Sequence, residues 1–225
     1  MVNVVTYIWQ DFENEVSSTF EFRRSCIRFG YPLTNVATEK HHVGNASVLR
    51  LLSDQYAQMS GPTVYADGAD SFFVQPITVP ENSILYSTEK AIWPPTKEMR
   101  EAWSDHPAQT PWCYLNGGGY CGPAELISEF FTRYVMPRID GVTDDAHSQG
   151  VQALAYLEAI RDGFPIQLDH LCEQFQTIGF TNDGDFRVDG NTIYNAITGS
   201  MPALFHGNGR TPMGWVYETM PPYAA

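Results

Sequence analysis

The amino-acid sequence predicts an α/β fold, laid out as one domain over residues 1–225, with a mixed, mostly parallel central sheet flanked by helices. Three observations carry that expectation. Short β-branched runs alternate with longer segments of helical periodicity, as in a sheet wound with crossover helices. The first run, residues 2–8, is almost unbroken in apolar character, which suits a strand covered on both faces. Polar clusters fall just after such runs, where open α/β sheets place their ligands.

After the first strand, Asn45 reads as the N-cap of a helix in which Val48, Leu52, Tyr56 and Met59 recur at helical spacing, stopped by Gly61-Pro62. Residues 63–66 form a short apolar strand ending at Asp67, and residues 83–87 another that ends near Glu89. The prolines and mixed charge between Trp93 and Pro111 read as an irregular excursion. A glycine-rich loop over residues 115–122 then enters the clearest helix, with Pro123 in its first turn. Leu126, Ile127, Phe130, Phe131 and Tyr134 form its apolar stripe, and Pro137 ends it. Residues 144–160 read as a further helix, entered through Asp144 and Asp145, with Val151, Leu154 and Ala155 inward. Residues 165–168 and 202–205 are late strands, the second running straight into His206.

With 43% hydrophobic and 17% charged residues in 225, the chain has the composition of a folded domain large enough to bury a core unaided. Its net charge of −13 argues against a broad grip on nucleic acid, although Arg23, Arg24 and Arg28 form one local basic cluster. Cys26, Cys113, Cys121 and Cys172 make neither a CxxC pair nor a zinc spacing, and read as free, mostly buried thiols. No apolar run approaches 18 residues and no secretory leader pattern opens the chain, so a soluble, cytoplasmic protein without a membrane partner is expected.

Four constellations can carry chemistry. In Asp67-Gly68-Ala69-Asp70, two carboxylates at a strand end can face one hard cation, and Gly68 allows a tight turn; the same residues also fit an Asp-rich capping turn. In His206-Gly207-Asn208-Gly209, the imidazole is a possible metal ligand or a hydrogen-bonded turn residue, and the glycines let backbone N–H groups approach an anion. The 115–122 loop lacks the patterns of dinucleotide and ATP sites; it is either a connector or a pocket lining in which Asn116 offers an amide. Asp144-Asp145 is either a helix cap or a general base. No GxSxG element supports nucleophilic hydrolysis.

Several blocks in one order resemble the glycosyltransferase domain of procollagen lysyl hydroxylases and its relatives, a GT-A (Rossmann-like) fold. Thr6 closes a first strand similar to that family's Val-Val-Thr, and Leu51-Leu52 resembles its Arg-Leu-Leu. Residues 65–70 resemble its metal motif and residues 86–94 its Phe-Ser-Ala-Glu block. Residues 115–122 resemble its Gly-Gly segment, residues 166–176 its Leu-Asp and Phe-Gln strands, and residues 204–209 its His-Gly-Asn-Gly signature. Two departures stand out: Ala69 replaces an aromatic residue, and Val48 or Leu49 replaces a lysine.

The resemblance implies a stand-alone, viral or microbial transferase of the 2.4 class, placed in the host cytoplasm if viral. It implies a Mn²⁺ (or Mg²⁺) site made of Asp67, Asp70 and His206 and a UDP-sugar donor. Asn208 and Gly209 would face the diphosphate, and Arg210 would supply positive charge. Thr6, Glu89, Asn116, Gly118 and Gly119 would complete the donor site, with Asp144 and Asp145 as the catalytic carboxylates. The acceptor hydroxyl is left open among protein, glycan and modified DNA, as is the oligomeric state. A UDP-sugar-binding relative without transfer, and a metal-dependent nucleotide-sugar hydrolase, stand as alternatives.

Overall fold

A computed structural model describes residues 1–10, 17–37, 42–140 and 147–219. The chain runs β1 (Asn3–Thr6), α1 (Ser17–Arg28), β2 (Leu33–Asn35), α2 (Asn45–Tyr56), β3 (Pro62–Ala66), β4 (Ser71–Phe73) and β5 (Ile84–Glu89). It continues through α3 (Lys97–Ala102), β6 (Tyr114–Pro123), α4 (Ala124–Phe130), a π-helical turn (Phe131–Val135), α5 (Met136–Ile139) and α6 (Ser148–Arg161). Then come β7 (Ile166–Leu168), β8 (Phe175–Thr177), β9 (Phe186–Asp189), β10 (Thr192–Asn195), β11 (Leu204–His206) and α7 (Gly214–Thr219).

The central sheet has the order β2-β1-β3-β6-β5-β7. Every strand in it runs the same way except β6, which is antiparallel to both neighbours. The expected mixed, mostly parallel α/β architecture of a GT-A fold is therefore present. A second sheet, β4-β11-β8, and the β9-β10 hairpin complete the strands.

One face of the central sheet is an aromatic layer. Register places Tyr65 and Tyr86 on either side of Tyr120, and their rings stack on it at 4.9 and 4.6 Å between centroids. Tyr56 of α2 and Phe130 and Phe131 of α4 and its π turn cover that ladder. On the other face Val4, Val64 and Cys121 pack against Phe22 of α1 and against Phe73, Phe175 and Leu204 of the second sheet. The near-continuous apolar β1 is the natural consequence of lying between two covered faces.

Several local expectations are corrected. The cap of α2 is Gly44, at φ 93°, and Asn45 is the first helical residue without a side-chain capping bond. The 93–111 excursion contains a helical turn, α3, because Thr96 accepts a hydrogen bond from the Met99 N–H. Pro137 does not end its helix: the π turn just before it shifts the backbone pairing, so the ring is taken up at the start of α5. The helix expected from residue 144 begins at Ser148; Asp144 and Asp145 lie outside the described residues. The cysteines are free, with Cys26, Cys121 and Cys172 buried, and burial pushes the Cys26 thiol up to about 12.

The largest correction is β6. The segment expected as a loop is an internal strand, but an interrupted one. It pairs with β5 at Tyr120 and Cys121 and again at Tyr114 and Leu115, so the Asn116–Gly119 stretch faces the single residue Ser87. Such a bulge re-aims a strand next to a site.

The Tyr56 and Tyr120 hydroxyls, both buried, are 2.7 Å apart. Tyr120→Phe leaves the Tyr56 hydroxyl unpaired and should cost about 1–3 kcal/mol in urea unfolding. Removing both hydroxyls, in Tyr56→Phe/Tyr120→Phe, should recover part of that loss; a double variant no better than the single one contradicts the pairing.

Candidate functional site

Three strand ends and the β6 bulge build one polar centre. β3 delivers Asp67 and, after a short turn, Asp70. β11 delivers the buried His206, and β5 the buried Glu89. The turn after β3 is tied down on three sides. The Asp67 N–H donates to the Gly118 carbonyl at 2.9 Å, the Gly68 N–H to Thr6 Oγ1 at 2.9 Å, and the Ala69 N–H to Asp67 Oδ1 at 3.2 Å. Gly68 is needed here for space rather than for a left-handed backbone, since a Cβ would sit 2.5 Å from Ile8 Cδ1 and from Thr6 Oγ1. The Gly207 N–H then donates to the Asp70 carbonyl at 2.7 Å, joining the second sheet to this turn.

Ligand-type atoms of Asp67, Asp70 and His206 all lie within 4.8 Å of one another. His206 Nε2 is 3.1 Å from Asp70 Oδ1, an ion pair while the imidazole is protonated. The tautomer follows from the neighbours. Asn116 Oδ1 accepts the Gly118 N–H at 3.0 Å, which fixes the amide's orientation, so His206 Nδ1, 3.0 Å from that same oxygen, must be the donor. Nε2 is thereby turned toward the carboxylates.

The same device repeats around Glu89. The Gly117 N–H donates to Gln149 Oε1 at 3.2 Å and the Gly179 N–H to Asn208 Oδ1 at 2.6 Å. Both amide nitrogens are left to face Glu89: Gln149 Nε2 donates to Oε1, and Asn208 Nδ2 to Oε2 at 2.7 Å.

Charge is crowded here. Burial, then the Asp70 carboxylate, raises the Asp67 carboxyl from 3.8 to about 6. Burial raises Glu89 from 4.5 to about 7 against the pull of its two amide donors. Burial works against a charged His206, but the carboxylates of Asp70, Asp67 and Glu89 together outweigh it and lift the imidazole from 6.5 to about 9.

These residues line a cavity of about 300 Å³. Val48, Leu49, Leu52 and Tyr65 supply an apolar wall, with Trp93 and Phe180 at other positions on the lining. Of the residues singled out in the sequence, Asp67, Asp70, Glu89, Asn116, Gly118, His206, Asn208 and Gly209 meet in this cavity. Thr6 is fully buried behind it, and Gly119 lies in the β3–β6 ladder opposite Ala66. Arg210 belongs to the turn that follows Asn208, and its side chain lies outside the described residues. Gln149 and Gln152, which the resemblance offers as candidate partners of Asp144 and Asp145, also line the cavity. Trp93 falls in the resembling 86–94 block but was given no role, and Phe180 is the contributor that sequence reasoning missed, since it carried no local pattern.

Comparison with known proteins places this geometry in a family. A family model described as "PLOD GT domain" matches residues 51–217. The chain belongs to that family and carries a glycosyltransferase-type domain. It is 30% identical over 131 residues to "Uncharacterized protein R699" of Acanthamoeba polyphaga mimivirus, covering 58% of this chain and 25% of that protein. It is 25% identical over 134 residues to "Procollagen-lysine,2-oxoglutarate 5-dioxygenase 2" of Mus musculus, covering 58% of this chain and 17% of that protein. The match thus spans a quarter or less of each relative. Among the described residues no helix is long and apolar enough to cross a membrane.

Glu89 binds a proton more readily folded than unfolded, so between pH 4.5 and about 7 its contribution to stability is lost as pH rises. Glu89→Gln should remove about one proton's worth of that pH dependence, read from chemical denaturation across the window. An unchanged slope would contradict the raised carboxyl.

Proposed function

We propose that this chain is a metal-dependent glycosyltransferase, one domain over residues 1–225, that moves a hexose from a UDP-sugar to an acceptor hydroxyl. The observation that supports this most is the meeting of Asp67, Asp70 and His206 in one cavity with the buried carboxyl of Glu89. The donor set fits a divalent cation such as Mn²⁺ or Mg²⁺. His206 turns Nε2 toward Asp70 Oδ1 at 3.1 Å, where a cation would replace the shared proton, so two hard oxygens and one imidazole nitrogen share a focus. Bound there, the cation supplies Lewis-acid stabilisation of the charge that develops on the leaving diphosphate.

The chain's own residues do the rest. Asn116 holds the His206 ring in its ligating tautomer, the outer-shell role on which metal affinity depends. The Asn208 side chain is committed to Gly179 and Glu89, so in this reading the backbone N–H groups of Asn208 and Gly209 face the diphosphate. In transfer, the acceptor oxygen bonds to the sugar C1 as the C1–O bond to the β-phosphate breaks, its electron pair leaving with UDP. Glu89 takes the hydroxyl proton, because its carboxyl lies in the cavity and titrates near neutrality. The Asp144 and Asp145 expected for this role remain a second proposal, since they lie outside the described residues.

Asp67→Ala and His206→Ala should each lower Mn²⁺-dependent UDP release by about 100-fold or more while circular dichroism stays native. Glu89→Gln should lower kcat by about 10²- to 10⁴-fold and leave donor binding by calorimetry in place. Full turnover in either ligand variant would remove the metal assignment. Donor consumption at one rate with and without acceptor would mark a hydrolase, and donor binding with no UDP release a binding protein.

A further inference from the structure

The cavity that holds Glu89 and His206 adjoins another depression, of about 420 Å³, and Phe180 lines both. Phe180 is unusual twice over. Its φ is 61°, the left-handed region that a residue with a Cβ seldom adopts and enters only when its surroundings enforce it. Its side chain is 66% exposed and joins none of the core clusters. No packing inside the fold rewards this conformation, yet the backbone around it is pinned. The Gly179 N–H is held by Asn208 Oδ1, the Thr181 hydroxyl donates to the Ile178 carbonyl at 2.6 Å, and the Asn182 N–H donates to Asp185 Oδ2 at 2.8 Å. An aromatic ring is therefore held out to solvent at the junction of two depressions.

The chemistry of the second depression limits what can occupy it. Phe180, Phe186 and Trp215 give it aromatic surface; Asn182, Asp183 and Thr211 give it amide, carboxylate and hydroxyl groups. Among the described residues its lining includes no Lys or Arg, and Asp183 gives it an acidic edge in a chain of net charge −13, which favours a neutral ligand over an anionic one. Three of its backbone N–H groups are already engaged. The Ile178 N–H is taken by the His206 carbonyl, the Thr211 N–H by the Gly207 carbonyl, and the Asn182 N–H by Asp185. Aromatic faces beside neutral and acidic side-chain polar groups suit a ligand with a C–H face and a ring of hydroxyls.

We infer that Phe180 and the depression beside it form an acceptor subsite for a neutral saccharide, one of whose hydroxyls is presented to the Glu89 cavity. This rests on the transferase reading above and adds the class of acceptor. Phe180→Gly removes the ring and also relieves the left-handed backbone, so the variant should melt no lower than the parent protein, which separates loss of binding from loss of fold. The probes are maltose, lactose and cellobiose, followed by saturation-transfer NMR without donor and by UDP release with Mn²⁺ and donor. The expected result is disaccharide binding weakened about tenfold or more in Phe180→Gly and restored in Phe180→Tyr, with the loss seen in acceptor KM rather than kcat. Equal disaccharide binding by Phe180→Gly and the parent overturns the subsite. So does binding of a hydroxylysine peptide that depends on Phe180 when no disaccharide binds. The NMR arm needs no turnover, so Phe180-dependent binding with no UDP release from any donor would sink the transferase reading while the subsite stands.

Discussion

The polar centre depends on one close approach: the imidazole of His206 lies against the Cα of Gly118. A Cβ at residue 118 would fall 2.1 Å from His206 Cε1, closer than any real contact. His206 ends a strand of the second sheet, whereas Gly118 sits in the bulge of β6, in the middle of the central sheet. The site is thus a joint between two sheets, and the joint closes only because β6 leaves its pairing with β5 and offers a strand without a side chain. Everything further out follows from it. Asn116, carried on the same bulge, reaches His206 Nδ1; the Gly118 carbonyl reaches the Asp67 N–H; and Gly207 reaches back to Asp70.

The second constraint is electrostatic. Three carboxylates and one imidazole share a small buried volume, an arrangement that costs free energy unless each charge is paired or hydrogen-bonded. The fold answers with amides rather than with basic residues. Asn116, Gln149 and Asn208 each have their carbonyl end fixed by a glycine N–H, at Gly118, Gly117 and Gly179. An amide fixed at one end has no freedom to present the wrong atom at the other, so polar orientation is set by backbone geometry. What the amides leave unmet shows in the raised carboxyls: burial lifts Glu89, and burial followed by the Asp70 charge lifts Asp67. That residual strain relaxes if a cation enters, which is how a site can be less stable without its ligand and better adapted to it.

How much of this could be read from the sequence depends on what carried the signal. Long periodic segments such as α2 and α4, and strands ending in a polar residue such as β3 and β5, announced themselves; strand ends flagged Asp67, Asp70 and His206 one by one, and the family resemblance joined them. Glycine misled twice, in opposite senses. At 117–119 a run that reads as a loop is a strand kept bare so that neighbours can approach; at Gly68 the requirement is space, not a left-handed turn. β4, β8 and β11 are three residues each, too short for a period to register, so the second sheet was invisible as a unit. Pro137 failed as a stop signal because a π turn is a tertiary accommodation with no composition of its own. Phe180 was out of reach for the same reason: an exposed aromatic is unremarkable until its backbone angle and its two neighbouring depressions are known.

The charge pattern of the cavity bears on how strictly such a transferase would need its cation. Among the described residues that line it none is Lys or Arg, and His206 faces three carboxylates. A diphosphate entering this surface would meet net repulsion and an apolar wall of Val48, Leu49 and Leu52 on one side. Backbone N–H groups can orient such an anion, but their partial charges do not offset the carboxylates of Asp67 and Asp70. In the proposed reading a divalent cation would offset two of the carboxylate charges, which would tie donor affinity, and not only the chemical step, to the metal.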